Sequence, residues 1–186
     1  MDMRQLNSVV LVDKYGRHLF AQDGRPSTME KVEAHRRGLL HSAVSVFIFN
    51  NRNELLLQKR AVSKYHSPGK WTNTCCTHPS PGETPIMCAR RRLSEEMGLV
   101  VELAEAFTFS YKADVGNGLV ENEFDHVFLG LSNQNPNPDP VELSDWTWVP
   151  IEELSQDLVR NPNKYSPWIR QCFGEVVKYK LREFEK

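Results

Sequence analysis

The chain has 186 residues, of which 25% are charged, and a formal net charge of -1. This length suits one domain with its own core, and the near-zero charge gives no general attraction to nucleic acid or to a membrane. The apolar run at 44–49 is too short to span a bilayer, and residues 1–7 show no export signal. The four cysteines lack zinc-ligand spacing and include an adjacent pair that is poorly placed for a disulfide, which favours a reducing cytoplasm.

The first third of the chain predicts strands around one short helix. A capping box formed by Ser27 and Glu30 predicts the helix start, and Gly38 predicts its end. A strand is expected at 9–12, with a turn at 13–17. The β-rich runs at 42–49 and 54–59, joined by 50–53, predict a hairpin.

A second helix is marked by Thr84 as N-cap, Pro85 at its first position and Gly98 at its end. Its apolar face repeats at helical spacing through Ile86, Ala89, Leu93 and Met97. The other face is charged and carries Arg91, Arg92, Glu95 and Glu96.

The rest of the chain predicts strands near 107–112, 125–131 and 145–149, a proline-rich loop at 135–140, and helices at 150–159 and 167–184. No repeat or linker interrupts this order. The mixture of strands and helices around a mostly β centre predicts an α+β fold, with one compact domain over 1–186.

The chemistry concentrates in two short segments, Asn73–Pro79 and Glu121–Glu123. Side chains alternate between the faces of an extended chain, so Cys76 and His78 point the same way, as do Glu121 and Glu123. A thiol, an imidazole and two carboxylates can then converge on one pocket. This combines a proton-transfer or nucleophilic group with hard metal ligands, which indicates a functional site.

The charged helix resembles the core of a Nudix box, in which glutamates present Mg²⁺ to a diphosphate. The matching residues are Glu83, Arg91, Leu93, Glu95, Glu96, Gly98 and Leu99. Thr77 stands where the box opens with Gly, and Arg92 stands where its first core glutamate belongs, so a metal ligand is replaced by a cation. The alternative is a solvated helix face with i,i+4 pairs Arg91–Glu95 and Arg92–Glu96.

A longer resemblance favours a functional interpretation. The segments 38–47, 58–64, 71–79, 120–123 and 166–168 resemble type I isopentenyl-diphosphate isomerases, in the right order and spacing. That family is a Nudix-fold enzyme altered at these two box positions. The resemblance implies Nudix-like mixed sheets sandwiched by helices, and an isomerase that interconverts isopentenyl and dimethylallyl diphosphate.

The resemblance also implies a metal site. It places one divalent ion, Mn²⁺ or Mg²⁺ with Zn²⁺ possible, among His35, His41, His78, Glu121 and Glu123. A second Mg²⁺ arriving with the substrate is held by Glu96, with a possible contact from the Cys76 backbone. No organic cofactor is expected. The other histidines, His18, His66 and His126, are expected to have no function.

Moving a double bond requires an acid and a base on opposite faces of a five-carbon chain. The resemblance assigns these roles to Cys76 and Glu123, with Tyr111 hydrogen-bonded to the glutamate and tuning its proton affinity. The alternatives are a buried structural cysteine and a core tyrosine. Cys75 lies on the opposite face by alternation and is assigned to packing.

The remaining implied residues bind the substrate. Arg60, Lys64, Arg92 and Lys31 contact the diphosphate by resemblance, and the Trp168 indole covers the isoprenoid tail, where its face stabilises a carbocation. Trp168 is equally suited to anchoring the start of the last helix. The alternative for these four cations is that they are ordinary surface charges, and this alternative is strongest for Lys31.

Three functions therefore follow from the sequence: the isomerase, which is preferred, a Nudix hydrolase of a nucleoside diphosphate derivative, and a non-enzymatic metal-binding module. For the isomerase we expect a small-molecule isoprenoid diphosphate as partner, no nucleic acid, no membrane, and a monomer or weak homodimer in the cytoplasm. Residues 1–40 are expected to fold back and complete the site.

Overall fold

A computed structural model describes residues 7–184. The ends of the predicted domain, 1–6 and 185–186, and most of the segment searched for an export signal lie outside the described residues. In chain order the elements are β1 Ser8–Val10, β2 Thr28–Glu30, α1 Lys31–Arg37, β3 His41–Phe49, β4 Glu54–Arg60, β5 Trp71–Thr72, β6 Cys75–Thr77, α2 Pro85–Met97, β7 Leu103–Gly116, β8 Leu119–Leu131, β9 Leu143–Pro150, α3 Ile151–Arg160, a 3₁₀ turn Pro162–Lys164 and α4 Pro167–Phe184.

The main sheet is mixed and has β3 at its centre. Strand β3 runs parallel to β8 along its whole length, from His41 opposite Glu123 to Phe49 opposite Leu131. It also pairs antiparallel with β6 and, at one end, with β4. Strand β7 pairs with β8, whereas β5 and β9 flank β4. Strands β1 and β2 form a separate two-stranded sheet.

Alternation along β3 divides the core into two apolar layers. Phe47 and Phe49 point to one face of the sheet, where they pack in a cluster with residues of α3 and α4 such as Leu154 and Ile169. Val46 and Ile48 point to the other face and join a cluster with residues of α2 and the strands, which includes Cys75, Cys88, Leu93 and Met97. The sheet is therefore sandwiched by helices, which confirms the predicted α+β class.

Helix α2 begins and ends as the sequence predicts. The Thr84 hydroxyl accepts a hydrogen bond from the Met87 amide, Pro85 occupies the first turn, and Gly98 adopts a left-handed conformation with φ 64°. The predicted pairs are also present, at 3.1 Å for Arg91–Glu95 and 2.7 Å for Arg92–Glu96. Glu96 is nevertheless buried, and it lines the cavity described below.

The capping box predicted at Ser27 is wrong. Helix α1 begins at Lys31, and the Glu30 carboxylate caps it by accepting hydrogen bonds from the amides of Val32 and Glu33. Residues 28–30 instead form β2, which pairs with β1 and delays the start of the helix. The end of the helix at Gly38 is confirmed, with φ 57°.

Strands β7 and β8 are longer than the predicted segments 107–112 and 125–131. They form one long antiparallel hairpin whose pairing continues to Gly116 opposite Leu119. Consequently Glu121 and Glu123 lie within β8, on a regular strand. No helix among residues 7–184 is long and apolar enough to cross a membrane.

Candidate active site

Strand β3 brings the two chemical segments to one place. Its neighbours β6 and β8 carry the thiol segment and the glutamate segment, with Ser45 opposite Cys76 and His41 opposite Glu123. A cavity of about 370 Å³ opens over these strands. The predicted site residues that line it are Lys31, Arg60, Lys64, Cys76, His78, Arg92, Glu96, Tyr111, Glu121, Glu123 and Trp168. His35 and His41 are fully buried and lie outside this lining.

The five predicted metal ligands form one cluster. Their ligand atoms all lie within 4.8 Å of one another, in a group of His35, His41, His78, Glu121 and Glu123. His35 Nε2 is 2.9 Å from Glu121 Oε2, and His78 Nε2 is 2.8 Å from Glu123 Oε1. Three imidazoles and two carboxylates, almost completely buried, can hold a divalent metal ion.

The hydrogen-bonding pattern of the cluster also fits a cation. His41 Nδ1 lies 2.8 Å from the Leu39 carbonyl oxygen, an acceptor, so this nitrogen carries a hydrogen and Nε2 is left to face the cluster. That Nε2 lies 3.2 Å from His78 Nε2 and 3.6 Å from Glu123 Oε1. A carbonyl oxygen bound to the outer nitrogen is the usual way in which a metal-ligating histidine is oriented.

The ionisation of the cluster favours metal binding as well. Burial alone would raise the pKa of Glu121, but its contacts with His35 and His66 hold that pKa well below the usual range. Burial, helped by the charge of Lys31, lowers the pKa of His78 to about 3. At neutral pH, then, Glu121 is ionised and His78 is neutral, which are the forms that bind a metal.

Cys76 is held by polar side chains at the wall of the cavity. Its thiol donates a hydrogen bond to Asn73 Oδ1 at 2.8 Å, and the Trp168 indole N–H lies 2.9 Å from Sγ. Burial, and then the nearby carboxyl of Asp125, raise the pKa of the Cys76 thiol. The neighbouring Cys75 is fully buried in the α2-side cluster, as predicted. All four cysteines, each within residues 7–184, are free thiols.

Glu123 belongs both to the metal cluster and to a pair with Tyr111. The Tyr111 hydroxyl donates a hydrogen bond of 2.6 Å to Glu123 Oε2, while Oε1 faces His78. Burial, and then the charge of Glu123, raise the pKa of Tyr111 well above its usual range, so the phenol keeps its proton. Glu123 thus has a fixed orientation, with the Tyr111 hydroxyl on one carboxylate oxygen and the His78 ring on the other.

Cationic side chains line the cavity. The Arg60 guanidinium is buried, lies 5.4 Å from the centre of the Trp168 ring, and has an Nε with no hydrogen-bond partner among the described residues. Lys31 Nζ lies 5.5 Å from the Tyr65 ring, and burial lowers the pKa of this lysine. Together with Lys64 and Arg92, these side chains offer several N–H donors to an anion.

Glu142 and His66 are among the cavity residues that were not predicted from the sequence as parts of the site. Glu142 forms ion pairs with both Lys64 and Arg92, the latter at 3.0 Å. His66, expected to have no function, lies 3.0 Å from Glu121. Neither residue belongs to a periodic or motif pattern, so only the folded structure reveals them. Of the other two histidines, His18 is exposed, and His126 pairs with Glu105 and does not line the cavity.

The fold and the site define a class of protein. The NUDIX domain family matches residues 39–172 of the chain. DR0079 from Deinococcus radiodurans has the same fold, with a TM-score of 0.67 at 18% identity over 83% of this chain and 90% of that one. The MutT protein from Methanosarcina mazei Go1 gives a TM-score of 0.62 at 20% identity, over 79% and 96% of the two chains. The chain is a Nudix-domain protein.

Closer relatives identify the family within this class. The chain is 48% identical over 171 residues to isopentenyl-diphosphate Delta-isomerase 1 from Aromatoleum aromaticum, which covers 92% of this chain and 93% of the relative. It is 43% identical over 174 residues to the isopentenyl-diphosphate Delta-isomerase from Pectobacterium atrosepticum, covering 94% and 93%. The chain belongs to the isopentenyl-diphosphate Delta-isomerase family.

Proposed function

We propose that the cavity converts isopentenyl diphosphate and dimethylallyl diphosphate into each other, a step of isoprenoid biosynthesis. The observation that carries this proposal is the placement of the Cys76 thiol and the Tyr111-bound Glu123 carboxylate on one cavity, in a chain of this isomerase family. The two groups come from strands that flank β3 on opposite sides. They can therefore act on a small substrate from different directions.

The reaction moves a double bond by two proton transfers. One group adds a proton to the terminal alkene carbon, which leaves a tertiary carbocation, and the other removes a proton from the carbon on the far side of the cation. We assign the two roles to Cys76 and Glu123, which exchange roles when the reaction runs backwards. Proton count and charge are unchanged, so no oxidant, reductant or organic cofactor is required.

Tyr111 and Trp168 assist these transfers in the proposal. The Tyr111 hydroxyl stabilises the charged form of Glu123 through its 2.6 Å hydrogen bond. The Trp168 ring is buried beside the thiol, and its π face stabilises a carbocation without offering a nucleophile. Its position at the start of α4 is compatible with the anchoring role too, since the two roles use different parts of the residue.

The proposed metal ligands are His35, His41, His78, Glu121 and Glu123, with Mn²⁺ or Mg²⁺ as the ion and Zn²⁺ as a further candidate. When bound, the cation supplies positive charge between two buried carboxylates that would otherwise repel each other. Glu96 is proposed to bind a second Mg²⁺ that enters with the substrate, with the Cys76 backbone as a possible further contact. Hard oxygen ligands and phosphate suit Mg²⁺.

Diphosphate binding is assigned to Arg60, Lys64, Arg92 and Lys31. Arg92 is ion-paired to Glu96 at 2.7 Å, where a Nudix box would place another carboxylate. A cation at this position binds the phosphate oxygens but cannot ligate a hydrolytic metal, so the diphosphate stays intact. Lys31 and His35 belong to residues 1–40, which we propose complete the site. The free thiols support action in a reducing cytoplasm, and we propose a monomer or weak homodimer.

Isomerisation and hydrolysis are separated by ³¹P NMR. Purified protein with Mg²⁺ and Mn²⁺ is incubated with isopentenyl diphosphate and, separately, with a nucleoside diphosphate derivative. We expect new allylic diphosphate signals from the first substrate, with both phosphorus atoms retained, and no change in the second. Released phosphate would favour the hydrolase, and tight metal binding without either reaction would favour the non-enzymatic module. Glu123→Gln, which keeps the shape but loses the charge, should show no conversion.

A further inference from the structure

His66 lies at the junction of the proposed metal site, the diphosphate site and the tail site. It is 5% exposed and lines the cavity, in the loop between β4 and β5. Its ring stacks on His35, with centroids 5.6 Å apart and an interplanar angle of 26°. It also meets the Tyr65 and Trp168 rings edge-on, at 4.4 Å and 6.0 Å. These contacts fix the plane of the imidazole.

The polar contact of this ring is with a proposed metal ligand. His66 Nε2 lies 3.0 Å from Glu121 Oε1, whereas the other carboxylate oxygen, Oε2, lies 2.9 Å from His35 Nε2. His66 Nδ1 has no hydrogen-bond partner among the described residues, so the ring meets the carboxylate through Nε2 alone. A carboxylate oxygen accepts hydrogen bonds, which places the hydrogen of this contact on His66 Nε2. The two carboxylate oxygens of Glu121 thus have different partners: Oε1 is bound by His66, and Oε2 faces the cluster.

His66 is not itself a member of the ligand cluster. The group whose ligand atoms lie within 4.8 Å of one another includes three histidines but not this one. The backbone carbonyl of His66 accepts a hydrogen bond of 3.1 Å from Arg60 Nη2. The same residue thus touches a carboxylate of the metal site and a guanidinium of the diphosphate site.

We propose that His66 is a positioning residue for metal binding: its Nε2–H holds Glu121 Oε1, so that Oε2 stays directed at the cation. The inference rests on the metal site given under the proposed function. Side chains that orient metal ligands in this way typically change metal affinity by about 10- to 100-fold when they are replaced. The effect of His66 should accordingly appear in metal binding even without substrate.

The test is a titration of metal-free, full-length protein with Mn²⁺, followed by the EPR signal of the free ion. His66→Phe keeps a flat ring but has no donor, and His66→Gln places an N–H near the position of Nε2. We expect His66→Phe to raise the Mn²⁺ dissociation constant by about 10- to 100-fold, and His66→Gln to restore most of the affinity. Binding stoichiometry should stay the same in both variants.

A matched control lies on β8, the strand that also carries Glu121. His126 pairs with Glu105 at 2.8 Å, also as a histidine on a carboxylate, but away from the cluster. His126→Phe should leave Mn²⁺ affinity unchanged. Thermal melting of the metal-free variants reports their folding separately, so a loss of affinity in a fully folded His66→Phe is attributable to the site.

The outcomes are distinguishable. Equal affinity of wild type and His66→Phe, or an equal loss in His66→Phe and His66→Gln, would overturn the positioning role. A loss of one bound ion per chain in both variants would instead make His66 a ligand. If wild-type protein binds no Mn²⁺, or if His78→Ala binds it as tightly as wild type, the proposed metal site itself is wrong.

Discussion

Glu142 is ion-paired with two of the side chains that we propose to bind the diphosphate. It contacts Lys64 and Arg92, and all three side chains are only partly exposed. These contacts, helped by the positive charge, outweigh the effect of burial and lower the pKa of Glu142. A diphosphate requires the same N–H donors, so substrate and carboxylate compete for them.

Glu142→Gln should therefore bind anions more tightly. The variant removes a negative charge next to the diphosphate position but keeps a side chain of the same size. Because partly exposed ion pairs contribute at most about 1 kcal/mol, we expect inhibition by inorganic pyrophosphate to strengthen by up to roughly fivefold. Inhibition constants and KM for isopentenyl diphosphate measure this.

The control for Glu142→Gln is Glu102→Gln. Glu102 also pairs with an α2 arginine, Arg90 at 2.9 Å, but is exposed and does not line the cavity. The Glu102→Gln variant should leave inhibition by pyrophosphate unchanged. Weaker inhibition and a higher KM in Glu142→Gln would instead mean that the carboxylate holds the two cations in their binding positions.

Apart from the roles that the resemblance implies, the site contacts that could be predicted from the sequence are those set by local geometry. Alternation along a strand suffices to place Cys76 with His78, and Glu121 with Glu123. His66 and Glu142 have no such rule, because their partners are 55 and 50 or more residues away and meet them only through loops. Long-range polar contacts of this kind produce no periodic pattern and no fixed motif spacing in the sequence.

Helix α2 ends at a position that only glycine fits. Gly98 has φ 64°, and a Cβ placed there would lie 2.5 Å from the Asn137 carbonyl oxygen. This close approach packs the 135–140 loop against the end of the helix, where the Asn137 amide also donates to the Met97 carbonyl oxygen. The end of α2 and the 135–140 loop are thus packed directly against each other and joined by a hydrogen bond.

Gly98→Ala should destabilise the protein by about 1–3 kcal/mol or more, since strain in the left-handed region adds to the clash. Gly174→Ala is the matched control. Gly174 is exposed within α4, and a Cβ added there would have no atom within 4 Å. Alanine at this position should therefore stabilise the protein by about 0.5–1 kcal/mol. Urea unfolding measures both. Similar effects of the two substitutions would contradict this account of the helix end.

Element boundaries were predictable where a helix end is set by its own residues. Thr84, Pro85 and Gly98 act on their immediate neighbours, and α2 begins and ends as expected. The start of α1 differs because β2 pairs with β1, twenty residues earlier in the chain, and takes residues 28–30 into a strand. Tertiary pairing overrides a local capping pattern in this case.

The two helices on one side of the sheet are linked by a polar network around Asp157. The carboxylate, near the end of α3, accepts hydrogen bonds from Tyr165 at 2.6 Å, Asn161 at 2.5 Å and Lys164 at 3.2 Å. These contacts lower the pKa of Asp157 to about 2. They connect α3 to the segment that leads into α4.

This network predicts how the stability of the whole molecule changes in acid. The pKa of Asp157 is lower in the folded state than its ordinary value of 3.8, so its contribution is present above pH 3.8 and is lost as the pH falls toward about 2. Asp157→Asn should be less stable than wild type at pH 6, and this difference should shrink as the pH falls below 4. Urea unfolding at several pH values measures it, and a constant difference would contradict the assignment.

The architecture of the sheet could be predicted only in part. The class follows from the order of strands and helices, but the parallel pairing of β3 with β8 joins residues 82 positions apart, such as His41 and Glu123. No local pattern specifies that register. It nevertheless decides the site, because a shift by one residue would turn both glutamates of β8 away from the histidines.

The central claim is that the Cys76 thiol and the Glu123 carboxylate transfer protons to and from one substrate. Wild type, Cys76→Ala and Cys75→Ala are incubated with isopentenyl diphosphate and divalent metal in D₂O, and the products are followed by NMR. We predict deuterated dimethylallyl diphosphate from wild type and from Cys75→Ala, provided the latter folds by thermal melting, and none from Cys76→Ala. Deuterated product formed by Cys76→Ala at the wild-type rate would contradict the claim.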